Sequence, residues 1–306
     1  MLINQPTAKI ICDSISPEGK RLTTMEVKMH RFVLAEFNTH RKFSRSSASS
    51  RAIPIKKRIE QVLTDPAMPL YWGKNQSGMS AAEEMDPTPK EVAIGQWLYA
   101  RDQAVETVRM LSDLGVHKQL ANRLLEPWLW HTTIVSSTEW MNFFGQRCAI
   151  NPETKQPFAQ PEMYALAMAM QQAFYESTPK EIGYGEWHLP YIMEEDIEWV
   201  MAQEINCQSA SDRSYGRLDL LKKVSTGRCA RISYLTHDGK RDPLEDVKLA
   251  DKLIDVKPMH PSPLEHIATP YFEGQYKGNF EGWIQYRHSF ENENIKEFTP
   301  NYKKEE

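Results

Sequence analysis

No run of apolar residues in this 306-residue sequence approaches the length of a bilayer span, and the opening MLINQPTAKIICDS has no long apolar centre of the kind a signal peptide carries. The expectation is a cytoplasmic protein with no membrane partner. Cysteine is scarce. The four thiols, Cys12, Cys148, Cys207 and Cys229, form no CxxC pair and no zinc-ligand spacing, so no metal is expected and the thiols read as reduced and mostly buried. An excess of positive charge is missing too. A net charge of −4 excludes a protein that coats nucleic acid, and it makes any anion site a local concentration of basic residues.

Such a concentration stands at residues 39–51, THRKFSRSSASSR, which holds three arginines, one lysine, one histidine and five serines but no glycine, proline or acidic residue. Without glycine it is not a loop that cradles phosphate with backbone amides. An anion would have to be held by Arg41, Arg45 and Arg51, with Ser44, Ser47 and Ser49 as neutral partners. Taken alone, this composition reads as a solvated basic linker. Its flanks argue otherwise. RLTTMEVKMH alternates like a half-buried strand, RFVLAEFNTH reads as a short helix, and Pro54 with Ile55, Ile59 and Val62 starts another helix. The serine stretch is therefore a connection inside a core.

Residues 66–89 read as a long surface loop, followed by a helix through Ile94, Leu98, Val105 and Leu111 that stops at Gly115. The segment from Val116 to Arg147 reads as two helices with an irregular joint near Pro127. AQPEMYALAMAMQQAFYES is a helix with Pro161 in its first turn, and its Met163, Leu166, Met170 and Phe174 stripe reads as core. Residues 177–225 read as insertions or long loops. GRCARISYLTHDGK mixes a helix start with a turn, PLEDVKLADKLIDV is a helix, and ATPYFEGQYKGNFEGWIQYRHSFENENI reads as a strand and a helix. With no repeat and no linker, residues 1–306 are expected to form a single domain.

These motifs together resemble the flavin-dependent thymidylate synthases, the ThyX family. Its arginine-histidine-arginine triplet and the serines and arginine that follow are matched by His40, Arg41, Ser44, Ser49 and Arg51, with Thr39 where the first arginine stands and Ser46 in place of an asparagine. RLLEP with Arg123 and STEWMNFFGQR with Asn142 and Arg147 resemble later family phrases. CARISY and HPSPLEHI resemble pieces that usually precede the triplet, the pattern of a circular permutation similar to the phage-type branch. The resemblance implies an α+β fold, an antiparallel or mixed sheet packed with long helices.

It further implies conversion of deoxyuridine monophosphate (dUMP) to thymidylate, with methylenetetrahydrofolate as carbon donor, NADPH as reductant and FAD as cofactor. The site would be shared in a homotetramer in the cytoplasm, that of a host bacterium if the gene is a phage's. Catalytic roles then fall to Ser49, Arg51 and Arg147. Substrate binding falls to these with Glu36, Ser47, Ser50 and Arg123, and the flavin side to His40, Arg41, Asn142, Ser233, His260, Ser262 and Glu265. Arg45 or Arg287 is expected to stand in for the arginine missing at position 39.

Other readings weigh against single residues. Arg123 or Arg147 alone on a helix reads as a surface ion pair, and His260 with Glu265 alone reads as a capped helix start. His117, His131 and His188 read as structural, Cys148 as an inert thiol, and Asp196 and the acidic residues Glu83, Glu84 and Asp86 as solvated. Two functional alternatives stay open: hydroxymethylation of the pyrimidine nucleotide, and a nucleotide-binding relative without catalysis.

Overall fold

The computed structural model describes residues 4–204, 210–236, 241–272 and 276–297. Its centre is a mixed five-stranded sheet in the order β3-β4-β2-β1-β5, built from β1 (Thr7–Ile15), β2 (Arg21–His30), β3 (Ser44–Ser47), β4 (Trp130–Ser137) and β5 (Lys180–Glu181). All pairings are antiparallel except the parallel edge pair of β1 with β5. The mixed sheet with long helices accords with the expected α+β class.

Both faces of β2 are covered, which is why it is buried well beyond the half-buried strand its alternation suggested. Met25, Val27 and Met29 face a core with Met163, Leu166, Met170 and Phe174 of α6 (Pro161–Glu176), and with Phe143 and Phe144 of α5 (Met141–Arg147). The methionine stripe is core, as its spacing predicts. The opposite face meets the C-terminal part of the chain, where Ile134 of β4 joins Tyr191, Cys229, Ile232, Leu264 and Ile267. A third cluster holds α2 (Ile55–Thr64) and α3 (Pro87–Asp113) together through Val62, Val105, Val108 and Leu125.

Three expectations need correction. The segment expected as two helices carries β4 at its centre, after only a short α4 (Lys118–Ala121) and a 3-10 turn. The β-branched run Thr132, Thr133, Ile134 and Val135 suits an extended, mostly buried strand better than a helix. Residues 177–225 are not mainly loop, because they include α7 (Glu194–Met201) and most of α8 (Ala210–Arg231), so CARISY ends a long helix rather than starting one. After α9 (Pro243–Asp255), the last segment forms short strands β6 (Ala268–Pro270), β7 (Tyr276–Lys277), β8 (Phe280–Glu281) and β9 (Trp283–Gln285), and its expected helix is only a 3-10 turn.

Asp196 is likewise not solvated. It is 4% exposed and pairs with Arg228, which is fully buried and also reaches the buried Asp246 at 3.1 Å. The network ties α7, α8 and α9 together. Gly227 lets α8 approach α9 closely, because a Cβ there would lie 2.3 Å from the Asp246 carbonyl oxygen.

A row of hydroxyls crosses the sheet beneath the C-terminal segment. Ser14 Oγ bonds His188 Nδ1 (2.8 Å), His188 Nε2 bonds Thr24 Oγ1 (2.8 Å), and Thr24 bonds Ser136 Oγ (2.6 Å). Ser136 then bonds His266 Nδ1 (2.8 Å), whose Nε2 bonds Ser46 Oγ (2.9 Å). One hydroxyl comes from each of β1, β2, β4 and β3. Both rings are fully buried with both nitrogens satisfied, so His188 is structural, as expected. Ser46 bonds His266 where the family pattern has asparagine.

Candidate active site

The serine stretch splits into a tight turn, a strand and a second turn. The first turn follows α1 (Leu34–Phe37), where Thr39 Oγ1 donates to the Glu36 carbonyl oxygen at 2.7 Å. Next, β3 pairs with β4, and Ser47 Oγ meets Thr133 Oγ1 at 3.0 Å. The second turn, residues 49–53, is pinned by Asn122, which donates to the carbonyl oxygens of Ser50 (2.8 Å) and Ile53 (3.0 Å), and by Lys118 Nζ to that of Ala52 (3.0 Å). Backbone and side chain both fix it. This stretch is therefore an internal connection, as its flanks predict.

Around it lie three depressions. Ser49, Arg51, Ser233, His260 and Ser262 line one of about 500 Å³. The Ser49 amide donates to the Ser233 carbonyl oxygen at 3.0 Å, so the end of α8 is in direct contact with the second turn. Arg51 is exposed and has no ion pair or hydrogen bond among the described residues. The Ser262–His266 turn has no side-chain cap of the kind HPSPLEHI suggested. His266 holds it against β3 and β4 instead.

A second depression, about 350 Å³, is lined by Thr39, His40, Arg41, Asn142 and Gln146. Arg41 is exposed and unpaired among the described residues, and the Asn142 amide oxygen accepts from Gln146 at 3.2 Å. The third and largest cavity, about 910 Å³, has Glu36 and Arg147 on its wall with Phe32, Tyr71 and Trp97. Asn142 and Arg147 open on different cavities because five residues along a helix turn the side chain by ~140°.

Arg147 joins these two spaces. It donates from Nε to His40 Nε2 at 2.9 Å, ion-pairs with Glu36, and reaches Thr39 Oγ1 at 3.5 Å. Burial, with the charges of Arg147 and Arg45, lowers the His40 pKa to about 4, so at neutral pH this ring is an uncharged acceptor. Thr39 therefore gives Arg147 a neutral oxygen where a guanidinium would repel it.

Ser47, Ser50, Arg123 and Glu265 lie outside these three spaces. Arg123 is the exposed ion pair that the plainer reading suggested, with Glu126 at 2.6 Å, and Ser50 Oγ meets the same carboxylate at 3.3 Å. Glu265 pairs with Arg287, which also holds Glu293 at 3.1 Å. Arg45 donates to the His40 carbonyl oxygen at 3.1 Å and feels the Glu265 charge, so it lies between the His40 turn and Glu265. Of the two arginines considered for the missing family position, Arg45 is the one bonded to the His40 turn.

Sequence reasoning missed Arg58 and His266. Arg58 falls on the Ile55, Ile59, Val62 face and is 2% exposed. A charged residue on an apolar stripe is the signal that was available. Cys12, Cys148 and Cys229 carry no disulfide, and burial pushes the Cys148 thiol up, as expected of an inert thiol. Cys207 lies outside the described residues. Among those residues no group of His, Cys, Asp and Glu could hold a metal, and no helix is long and apolar enough to cross a membrane.

Among solved structures, the chain is similar to the UMP/dUMP methylase PolB from Streptomyces cacaoi. With 5-Br dUMP bound, that protein is 14% identical at a TM-score of 0.43, covering 56% of this chain and 91% of its own. With 5-Br UMP bound, the values are 15%, 0.44, 56% and 90%. No curated protein matches the sequence. A family model matches residues 21–180, just over half of the chain, from β2 through the serine stretch, β4, α5 and α6, and this chain belongs to the Thymidylate synthase complementing protein family.

Proposed function

We propose that this protein is a flavin-dependent thymidylate synthase that methylates dUMP, taking the carbon from methylenetetrahydrofolate and reducing equivalents from NADPH. The observation that carries this reading is the depression where Ser49 and Arg51 of the family segment meet Ser233, His260 and Ser262 from outside it. An unpaired guanidinium beside neutral hydroxyls suits a nucleotide carrying a phosphate. The same contact, with the His266 to Ser46 bond, supports a circularly permuted order of the phage type, in which late segments complete a site around an early motif.

The residues present fit a flavin nucleotide. Arg41 is an unpaired cation for a pyrophosphate, and the Asn142 amide and the neutral His40 ring offer hydrogen-bonding groups beside it. Ser233, His260, Ser262 and Glu265 would hold it from the C-terminal side. When bound, FAD supplies the hydride that reduces the transferred carbon. In this reading Ser49 directs its hydroxyl at the uracil and polarises it without attacking as a nucleophile. Arg51 and Arg147 grip the substrate, with Glu36, Ser47, Ser50 and Arg123 around them. Within one chain Ser49 and Arg51, His40 and Arg41, and Glu36 and Arg147 stand in separate depressions, which a homotetramer with shared sites would bring together.

The absorption spectrum of the purified protein, followed by mass analysis of the product from dUMP, tests the reading. A flavin spectrum and a product in which a methyl group has replaced a ring hydrogen are expected. Addition of a hydroxymethyl group would make the protein a hydroxymethylase, and a colourless protein that takes up no flavin would end the enzyme reading. Arg51→Ala and Arg147→Ala should each weaken dUMP binding by about 2–5 kcal/mol in calorimetry, the scale for removing a desolvated charge partner. Ser49→Ala should slow turnover more than it weakens binding. Unchanged affinity in both arginine variants would show that the substrate lies elsewhere.

A further inference from the structure

Two short ribbons flank the largest cavity, and each is bonded within itself. In the first, residues 72–85, Gly73 pairs with Glu84, the Lys74 amide donates to the Glu83 carbonyl oxygen at 2.8 Å, and the Met85 amide to that of Trp72 at 2.7 Å. Gln76 closes its tip. Its Nε2 donates to the Ser80 carbonyl oxygen at 2.9 Å, and its Oε1 accepts from the Ala82 amide at 3.1 Å. The tip folds back on Gly73, where a Cβ would stand 2.2 Å from that of Ala81. In the second ribbon, residues 149–158, Ile150 pairs with Pro157, the Asn151 amide donates to the Gln156 carbonyl oxygen at 2.8 Å, and the Phe158 amide to that of Ala149 at 3.1 Å.

The free ends of both ribbons are tied to nothing else. Among the described residues, neither 75–82 nor 151–156 makes a hydrogen bond or ion pair outside its own ribbon. The first is anchored only at its base, where the Trp72 ring meets Trp97 edge-on at 6.3 Å and Glu84 pairs with Lys90 of α3 at 2.5 Å. A segment bonded internally and held at one end moves as a unit. Met79, Ser80 and Ala81 of one ribbon and Gln156, Pro157 and Phe158 of the other line the same cavity of about 910 Å³, with Glu36 and Arg147 on its wall. Both ribbons present an apolar side chain to water. Met79 is fully exposed and Phe158 is 58% exposed, so bringing these two edges together would remove apolar surface from solvent.

We propose that residues 75–82 are a lid that swings on the anchored base to lay Met79 against Phe158, closing the cavity over a bound ligand. Contact between the two side chains supplies the latch. Closure excludes water from the Arg147 and Glu36 pair, and a drier surrounding strengthens every charged contact made there. Ligand release then waits on the lid. That the ligand is dUMP rests on the proposed function, whereas the lid rests on the two ribbons and the cavity between them.

Disulfide trapping in the full chain tests this, with Met79→Cys and Phe158→Cys combined, copper phenanthroline as oxidant and peptide mass mapping to locate the bond. Both positions are exposed, so the exchange leaves the core intact. A disulfide between positions 79 and 158 within one chain is expected, forming about fivefold faster with saturating dUMP, and the oxidised protein should release dUMP about tenfold more slowly than the reduced one. Each single variant should show neither effect. Absence of that disulfide, with and without dUMP, overturns the lid, and so does a bond that joins two chains, which would make this edge a contact between copies. Equal rates with and without dUMP, in a protein that binds it, also overturn the inference. A disulfide within one chain of a protein that binds no dUMP would uphold the lid and count against the proposed function.

Discussion

The urea midpoint of this protein is expected to fall steeply as the pH is lowered from 6.5 to 5. His131, His188 and His266 are all but fully buried, and burial holds each pKa at about 3, well below the ordinary 6.5. For His131 the charges of Arg31 and Arg58 add to burial, and for His266 the neighbouring His188 does. Because the folded pKa values are depressed, the unfolded chain binds more protons than the native one below pH 6.5. Stability is therefore fully present above that pH and is lost as the pH falls toward about 3. Near pH 5 these three rings account for about three protons taken up on unfolding, and His40, held at about 4, adds nearly one more, a slope of about 5 kcal/mol per pH unit. Stability measured by urea unfolding at pH 6.5, 5.8 and 5.0 checks this. His188→Gln should flatten the slope by about a quarter, and a parent with a flat profile over this range would mean that these rings titrate in the native state.

Asp246→Ala is expected to cost about 3–5 kcal/mol, the effect of leaving a buried charge without its partner. Asp246 accepts from both Arg228 and Arg231, and neither Asp246 nor Arg228 is exposed. Arg228 would retain Asp196, but the nearly buried Arg231 would lose the Asp246 carboxylate. Burial alone would push the Asp196 carboxyl up, yet the hydrogen bonds from Arg228 and Met193 and the Arg228 and Arg241 charges hold it below the usual range. Its contribution is thus present at neutral pH and fades in acid, in the same sense as the histidines. Urea unfolding at pH 7 of the parent and Asp246→Ala measures the effect. A loss under 1 kcal/mol would mean that apolar packing, rather than this network, holds α8 against α9.

How far local pattern reaches is visible in particular elements. The β2 alternation, the Pro54 helix start and the α6 stripe were legible because each is set by the period of its own segment. WHTTIVSS was not, since its buried polar side chains find partners from elsewhere in the chain, Ser136 at Thr24 and His266 and Thr133 at Ser47. Asp196 looked like a solvated acid because the arginine that buries it lies 32 residues further on. The serine stretch was recognised as internal from its flanks, while its strand character depended on pairing with β4.

The sequence by itself determined where most helices and the central β2 strand lie, the absence of a long apolar span, and the residues whose types and order resemble the flavin-dependent synthases. Periodicity, caps and motif spacing are properties of a continuous segment, so they can be read before the chain folds. The tertiary structure decided which of those residues share a space. It set Ser49 and Arg51 beside Ser233, His260 and Ser262, bound Arg147 to His40 and Glu36, and gathered Arg31 and Arg123 around Glu126. Such meetings depend on strand order and on the packing of the C-terminal helices across the sheet, which bring together groups separated by tens to hundreds of residues and change their charge states by burial.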